Sequence, residues 1–263
     1  MKCLIINGSP STKYVWNGQT VGSFTAELVE EVKTAMSKIA ALNIIEYTEI
    51  RLADENLPYC KGCYNCFNIG ENSCPHAAQV QNIMKQMDEA DCLILTSPVY
   101  ALNVSGLIKN FFDLTAYKFH RPSFWDKKAV VISSTAGGGA KSNTKYMSET
   151  LRHWGFNKVY TLPVTRHGAV ELTDSMKAKC DKIGAALYSD ASSGKLYAPK
   201  LYDVIFYQIW RVMSTALTSS EVDRTYWEEN GLVTQVYAPE IPLGVGTRTV
   251  GNLFHKMMSK FIK

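Results

Sequence analysis

No stretch of this 263-residue sequence is apolar for long enough to cross a bilayer as a helix. The most apolar later segment, 201–217, is broken by Asp203, Gln208 and Arg211, and reads as a buried or interfacial helix. The apolar run behind the first methionine covers only Cys3 to Ile6, too short for an export signal, so a cytoplasmic location is expected. A concentrated basic charge is missing as well. The 28 Lys and Arg residues against 24 Asp and Glu leave a formal charge of +4, which makes no case for nucleic acid. Two nucleotide fingerprints are absent. No G-x-G-x-x-G follows the first apolar run, and TAGGGAKS carries Ala140 and Thr135 where a P-loop needs glycine. Internal repeats and low-complexity tracts are lacking too, and 46% hydrophobic with 20% charged residues excludes wholesale disorder.

What the chain does have is a regular alternation of short apolar runs and longer helical patterns. Strands are predicted at 2–7, 43–50, 91–97, 128–134 and 157–164, rich in Val, Ile and Leu without strict alternation, as suits parallel strands buried on both faces. Helices are predicted near 23–41, 76–89, 104–117, 142–154 and 174–192. Pro75 suits the first turn of the second helix, Gly155 the end of the fourth, and Thr173 the N-cap of the fifth. This order predicts an α/β three-layer sandwich with a parallel five-stranded sheet in the order 2-1-3-4-5. From about residue 193 the alternation stops. Two domains are therefore expected: 1–192, and a helical extension over 193–263 that packs on the core or on a partner. Within the extension, helices are predicted at 201–217, 220–229 and 250–262, with Thr218 and Glu221 at capping-box spacing.

Three loops at the carboxyl edge of such a sheet have the chemistry of a ligand site. The first strand runs into Asn7-Gly8-Ser9-Pro10-Ser11, and a helix opens at Ser23-Phe24-Thr25. Free amides and the positive end of a helix dipole at that place bind phosphate. The third strand ends in Ser97-Pro98-Val99-Tyr100-Ala101-Leu102-Asn103, where Tyr100 offers a flat face and a hydroxyl. The fourth ends in Thr135-Ala136-Gly137-Gly138-Gly139, which permits close backbone approach to a planar ligand. Each loop alone is a common turn; their joint placement at a topological switch point is far more specific.

GSPS…SFT, then SPVYALNVSG with Lys109-Asn110-Phe111-Phe112-Asp113, then TAGGG, together resemble the NAD(P)H-dependent FMN reductase branch of the flavodoxin-like flavoproteins over roughly residues 1–190. The resemblance implies FMN as cofactor, its phosphate held by Ser9, Ser11, Ser23 and Thr25 with Phe24 beside them. It implies Pro98, Val99, Tyr100 and Asn103 at the ribityl chain and ring, and Thr135, Ala136, Gly137, Gly138 and Gly139 along the ring's polar edge. It further implies an oxidoreductase that takes electrons from NAD(P)H and passes them to a quinone-like molecule or a redox protein, in a homodimer. The insertion from Thr12 to Gly22 departs from that pattern.

Cys60, Cys63, Cys66 and Cys74 form a C-x2-C-x2-C-x7-C pattern followed by Pro75 and His76. Two x2 steps bring three thiolates onto one tight loop and a later cysteine closes the site, as a [4Fe–4S] cluster requires. The spacing also resembles the compact motif of the iron–sulfur flavoproteins. Structural zinc on these thiolates, with or without His76, and free or redox-active thiols are the other readings. Cys3, Cys92 and Cys180 sit in strand or helix patterns and are expected in the core.

Two further groups carry weaker expectations. Arg121 and Arg166, in loops after the third and fifth strands, could meet a nicotinamide nucleotide or sit in solvent. The aromatic run Tyr202, Phe206, Tyr207 and Trp210 is expected in the core or at an interface, and the basic, amphipathic end FHKMMSKFIK against the domain.

Overall fold

The computed structural model describes residues 1–262 except Asn17, and Trp16 through its backbone alone. Its strands are β1 (Lys2–Asn7), β2 (Lys13–Trp16), β3 (Gln19–Gly22), β4 (Glu46–Arg51), β5 (Cys92–Tyr100), β6 (Asn103–Val104), β7 (Lys128–Thr135) and β8 (Lys158–Thr165). The helices of the α/β part are α1 (Phe24–Ala40), α2 (Asn65–Asn68), α3 (Ala77–Glu89), α4 (Gly106–Leu114), α5 (Ala140–His153) and α6 (Asp174–Ser193). Those of the extension are α7 (Leu201–Thr215), α8 (Glu221–Glu229) and α9 (Val245–Met258).

The parallel sheet has the order β4-β1-β5-β7-β8, which is 2-1-3-4-5 when only the parallel strands are numbered. The short β6 adds an antiparallel piece to β5 that the sequence pattern did not signal. The inner strands β1, β5 and β7 are buried on both faces along most of their length, and the period of two sorts their side chains. Leu4 and Ile6 of β1 point into a core with α3, α4 and α5, filled by Ile83, Phe111, Phe112, Leu151 and Trp154. Cys3 and Ile5 point the other way, against α1 and α6, with Leu28, Val32, Met36 and Leu187. Full burial of such a side chain contributes roughly 1.5–3 kcal/mol. At Gly184 on α6 an added Cβ would lie 2.6 Å from the Val32 carbonyl oxygen, so the residue's small size lets α6 press onto α1.

The insertion after the first loop forms a β-hairpin, β2 with β3. Several predicted ends shift. The second parallel strand starts at Glu46, because Leu42 and Ile44 are exposed and make no ladder there. Pro75 precedes α3, whose N-cap is His76. The N-cap of α8 is Ser220, whose hydroxyl accepts from the Asp223 amide at 3.3 Å, in place of a Thr218–Glu221 box. The last helix starts at Val245, ahead of the predicted start at 250.

The extension has a core of its own. Val204, Tyr207, Trp227, Leu232, Val236 and Tyr237 pack together, with Trp125 from the α/β part against them. Gly251 lets α9 close onto this cluster, since a Cβ there would lie 2.8 Å from Val236 Cγ1. Arg152 of α5 donates through Nε to both carboxylate oxygens of Asp203 at 3.1 Å, and the His153 ring stacks on Phe206 at 3.6 Å. Asn157 exchanges two hydrogen bonds with the Tyr197 backbone. Of the aromatic run expected in the core or at an interface, Tyr207 is buried in this core and Tyr202 is exposed. On α9, Val250, Leu253 and Met257 are exposed, so the helix covers the core with only part of its surface.

Candidate functional site

The three loops meet. Ser9, Ser11, Ser23, Phe24 and Thr25 from the first, Pro98, Val99 and Tyr100 from the second, and Thr135 and Ala136 from the third line one cavity of about 300 Å³ at the carboxyl ends of the strands. The first loop is shaped by Gly8. Its amide donates to the Thr96 carbonyl at 3.0 Å and its own carbonyl accepts from Ser105 Oγ at 2.7 Å. The Asn7 side chain, held by Glu49, accepts from the Ser9 amide at 2.9 Å and turns the chain toward the helix. Ser23 caps α1, so the first amides of that helix face the cavity at the positive end of its dipole. Thr25 Oγ1 meets Ser134 Oγ at 2.6 Å, which ties the first loop to β7. Thr135 Oγ1 accepts from the Gly137 amide at 3.2 Å and donates to the Gly138 carbonyl at 3.0 Å, folding the glycine turn back on itself.

The remaining expected residues lie elsewhere. Asn103 lines a neighbouring cavity of about 560 Å³ that shares Tyr100 with the first. Gly137 and Gly138 face open space, and Gly139, at φ +100°, packs on Val99 and caps α5. Two lining residues lie outside the expected set, Tyr14 from the hairpin and Ser134, and Arg166, expected at a nicotinamide nucleotide or in solvent, lines this same cavity. The Arg166 guanidinium is only 4% exposed. It lies over the rings of Phe24 and Tyr14, at 4.9 and 5.4 Å, and donates to the Tyr14 hydroxyl and to the Ala169 and Val170 carbonyls. Burial lowers its pKa from the ordinary arginine value, yet an arginine keeps its charge in a protein. The cavity thus combines hydroxyls, helix amides and a buried cation with the surfaces of Pro98, Val99, Tyr100 and Ala136. That is the donor set a phosphate and a flat ring need.

Cys60, Cys63, Cys66 and Cys74 line a second cavity of about 320 Å³ together with Phe67 and His76. Gly62 and Tyr64 both adopt left-handed backbone, at φ +62° and +60°, and curl the loop around it. Asn110 anchors the loop's start, accepting from the Cys60 amide at 3.1 Å and donating to the Leu57 and Pro58 carbonyls. Burial and the neighbouring Cys74, Cys60 and Cys63 push the Cys66 thiol up to about 11. Among the described residues, however, no three His, Cys, Asp or Glu side chains stand close enough to hold a metal ion. The four sulfurs share a cavity without forming a closed ligand set. His76 Nε2 is buried there without a hydrogen-bond partner among the described residues. Cys3, Cys92 and Cys180 are buried in the core, as expected.

Arg121 is neither a nucleotide contact at the surface nor a solvated loop residue. It is buried between the cysteine loop and α8, paired with Asp223 and with Glu71 at 3.1 Å. Burial works to raise the Asp223 carboxyl, but His120 and Arg121 hold it below its ordinary value.

Residues 1–169 match the family of NADPH-dependent FMN reductases, over more than half of the chain. The chain belongs to that family. It is thereby an FMN-dependent oxidoreductase of flavodoxin-like fold. This FMN reductase family member is similar to an iron-sulfur flavoprotein of Archaeoglobus fulgidus, 26% identical over 193 residues, covering 72% of this chain and 86% of that one. It is also similar to an iron-sulfur flavoprotein of Methanocaldococcus jannaschii, 37% identical over 113 residues (43% of this chain, 51% of the other). An NADH-dependent FMN reductase of Pseudomonas putida is 29% identical over 99 residues, 37% of this chain and half of its own. Among solved structures, a flavone reductase superposes with a TM-score of 0.53 at 13% identity, over 73% of this chain and 63% of its own, a likeness of fold.

Proposed function

We propose that this family member is an NAD(P)H oxidoreductase that holds FMN in the three-loop cavity and passes electrons to a quinone-like molecule or a redox protein. The observation that carries the reading is the convergence of ten expected residues, from three separate loops, on one cavity. In this reading Ser9, Ser11, Ser23 and Thr25, with the first amides of α1, hold the phosphate. Arg166 compensates its charge, and Pro98, Val99, Tyr100 and Ala136 form the wall for the ring. FMN, when bound, supplies hydride acceptance and the onward release of electrons. The protein supplies the pocket, the orientation and the exclusion of water, which is why no catalytic acid or base is required.

We further propose that the four-cysteine cavity holds a [4Fe–4S] cluster. Its support is the cavity the four thiols share and the two left-handed turns that curl the loop. The unpartnered His76 Nε2 favours a second reading, a zinc ion held by thiolates and this imidazole. In this reading residues 193–263 are a helical extension that packs on the α/β core or on a partner subunit, and the functional form is a homodimer in the cytoplasm.

Anaerobic addition of NADPH or NADH to the FMN-loaded protein should bleach the flavin absorbance, and a quinone should restore it over many turnovers. Absence of bleaching by either nucleotide overturns the NAD(P)H reading. Iron, sulfide and zinc assays on anaerobically purified protein separate the two metal readings. Sedimentation tests the dimer.

A further inference from the structure

The short segment that joins α4 to β7 is also a junction between the cysteine loop and the C-terminal extension. Arg121 Nη2 donates to the Cys66 carbonyl at 2.6 Å and to Glu71 Oε2 at 3.1 Å, both within the cysteine loop. Its Nη1 donates to Asp223 on α8. The other Asp223 oxygen meets His120 Nδ1 at 2.7 Å. The His120 ring lies between Phe67, next to Cys66, and Trp210 of α7, with ring centres 4.4 and 3.9 Å away. Trp227 Nε1 donates to the His120 carbonyl at 2.8 Å, and the Tyr226 hydroxyl donates to the Pro122 carbonyl. Where α8 passes the loop directly, an added Cβ at Gly70 would lie 3.7 Å from Val222 Cγ2. Asp223, Tyr226 and Trp227 stand at i, i+3 and i+4, so a single face of α8 makes these contacts.

We propose that the C-terminal extension is a clamp on the cysteine loop, in which Asp223 and Arg121 are the positioning residues that hold Cys66 at the wall of the cavity it shares with Cys60, Cys63 and Cys74. The proposal rests on the reading of that cavity as a thiolate site. Arg121 is 4% exposed, and a guanidinium so buried needs its acceptors fixed in geometry. It finds one carboxylate on the extension and a carboxylate and a carbonyl on the loop, so the position of each reports on the other. Its positive charge behind Cys66 also offsets the negative charge that thiolates and any group bound to them bring to the cavity. The wall opposite the clamp is anchored independently by Asn110, so loosening Asp223 frees the Cys66 end of the loop and leaves the Cys60 end in place.

The test uses full-length protein carrying Asp223→Asn, with Glu71→Gln as a second, milder variant on the loop side. In reduced, metal-free protein, iodoacetamide modification is followed at each cysteine by mass spectrometry, with buried Cys180 as internal reference. Loss of a charged hydrogen bond should raise the rate at Cys66 about tenfold in Asp223→Asn, with a smaller rise in Glu71→Gln and little change at Cys60. Rates at Cys66 within about twofold of wild type, in a variant that still binds FMN, overturn the clamp. If Asp223→Asn does not accumulate as folded protein, an unchanged Cys66 rate in Glu71→Gln overturns it instead. Where wild type takes up iron anaerobically, Asp223→Asn should take up less, or hold it at a shifted midpoint potential; equal content and equal potential contradict the proposal. Wild type that takes up no iron defeats the cluster reading alone, because the alkylation rates decide the clamp without it.

Discussion

At Gly8 an added Cβ would lie 2.3 Å from Ile108 Cγ1 and 2.7 Å from the Thr96 carbonyl oxygen, and the carbonyl cannot move without breaking the ladder. Gly8→Ala should therefore cost about 1–3 kcal/mol of stability by overpacking and displace the phosphate loop. Urea denaturation measures the first effect and FMN titration the second. Arg166 belongs to the same scale. Replacing it with Met keeps much of the apolar stem but removes the cation from the cavity. Losing charge-assisted hydrogen bonds of about 1.5–3 kcal/mol should weaken FMN roughly tenfold to a hundredfold. Riboflavin, which lacks the phosphate, should be nearly indifferent to the change, and an equal loss for both ligands would exclude a phosphate role. Ser9, Ser23 and Thr135 could be picked out from sequence because each stands beside a strand end or helix start whose pattern is strong. Arg166 could not be placed, since its direction depends on Tyr14 and Phe24 meeting it from distant parts of the chain. Arg121 was misjudged for a related reason. Its partner Asp223 lies 102 residues away, and the only local trace was the one-sided Asp223, Tyr226, Trp227 spacing on α8.

At the scale of elements, the contact of α5 with α7 carries a pH signature. His153 stacks on Phe206, and burial pushes its pKa down to about 4, with Asp203 and Arg152 acting in opposite directions. The unfolded chain binds this proton near the ordinary value of about 6.5, so the unfolded state holds more protons between the two values. Stability should then be fully present above about 6.5 and fall as pH drops toward 4. His153→Gln should flatten that part of the profile in thermal melts at fixed ionic strength; an unchanged slope would show that another group is responsible. The parallel strands were legible because their apolar runs are continuous and bounded by turns. The hairpin of β2 and β3 was not, because Lys13–Trp16 and Gln19–Gly22 are short and most of their described side chains are exposed. With little burial to encode, their alternation leaves little apolar pattern. The pair β5–β6 turns through Ala101 and Leu102, both at positive φ, where Gly or Asn would have announced the turn.

For the whole molecule, two sites hang on one sheet. The three-loop cavity is assembled from loops at the carboxyl edge of β1, β5 and β7, a place set by topology and therefore open to sequence reasoning. The cysteine cavity depends on a loop, on Asn110 of α4 and on an extension that lies outside the family match. Its residue types were visible in the sequence, but not the path by which α8 reaches them. The two cavities share no lining residue, one drawn from three loops at the sheet edge and the other from the cysteine loop. The central claim is that the three-loop cavity is a site for a phosphorylated flavin. It is tested most directly by titrating apoprotein with FMN and with riboflavin and following fluorescence quenching at constant salt. One FMN per chain, with riboflavin weaker by about tenfold or more, is the result expected if the hydroxyls, helix amides and Arg166 read the phosphate. Equal affinity for the two, or no quenching by either, would contradict it.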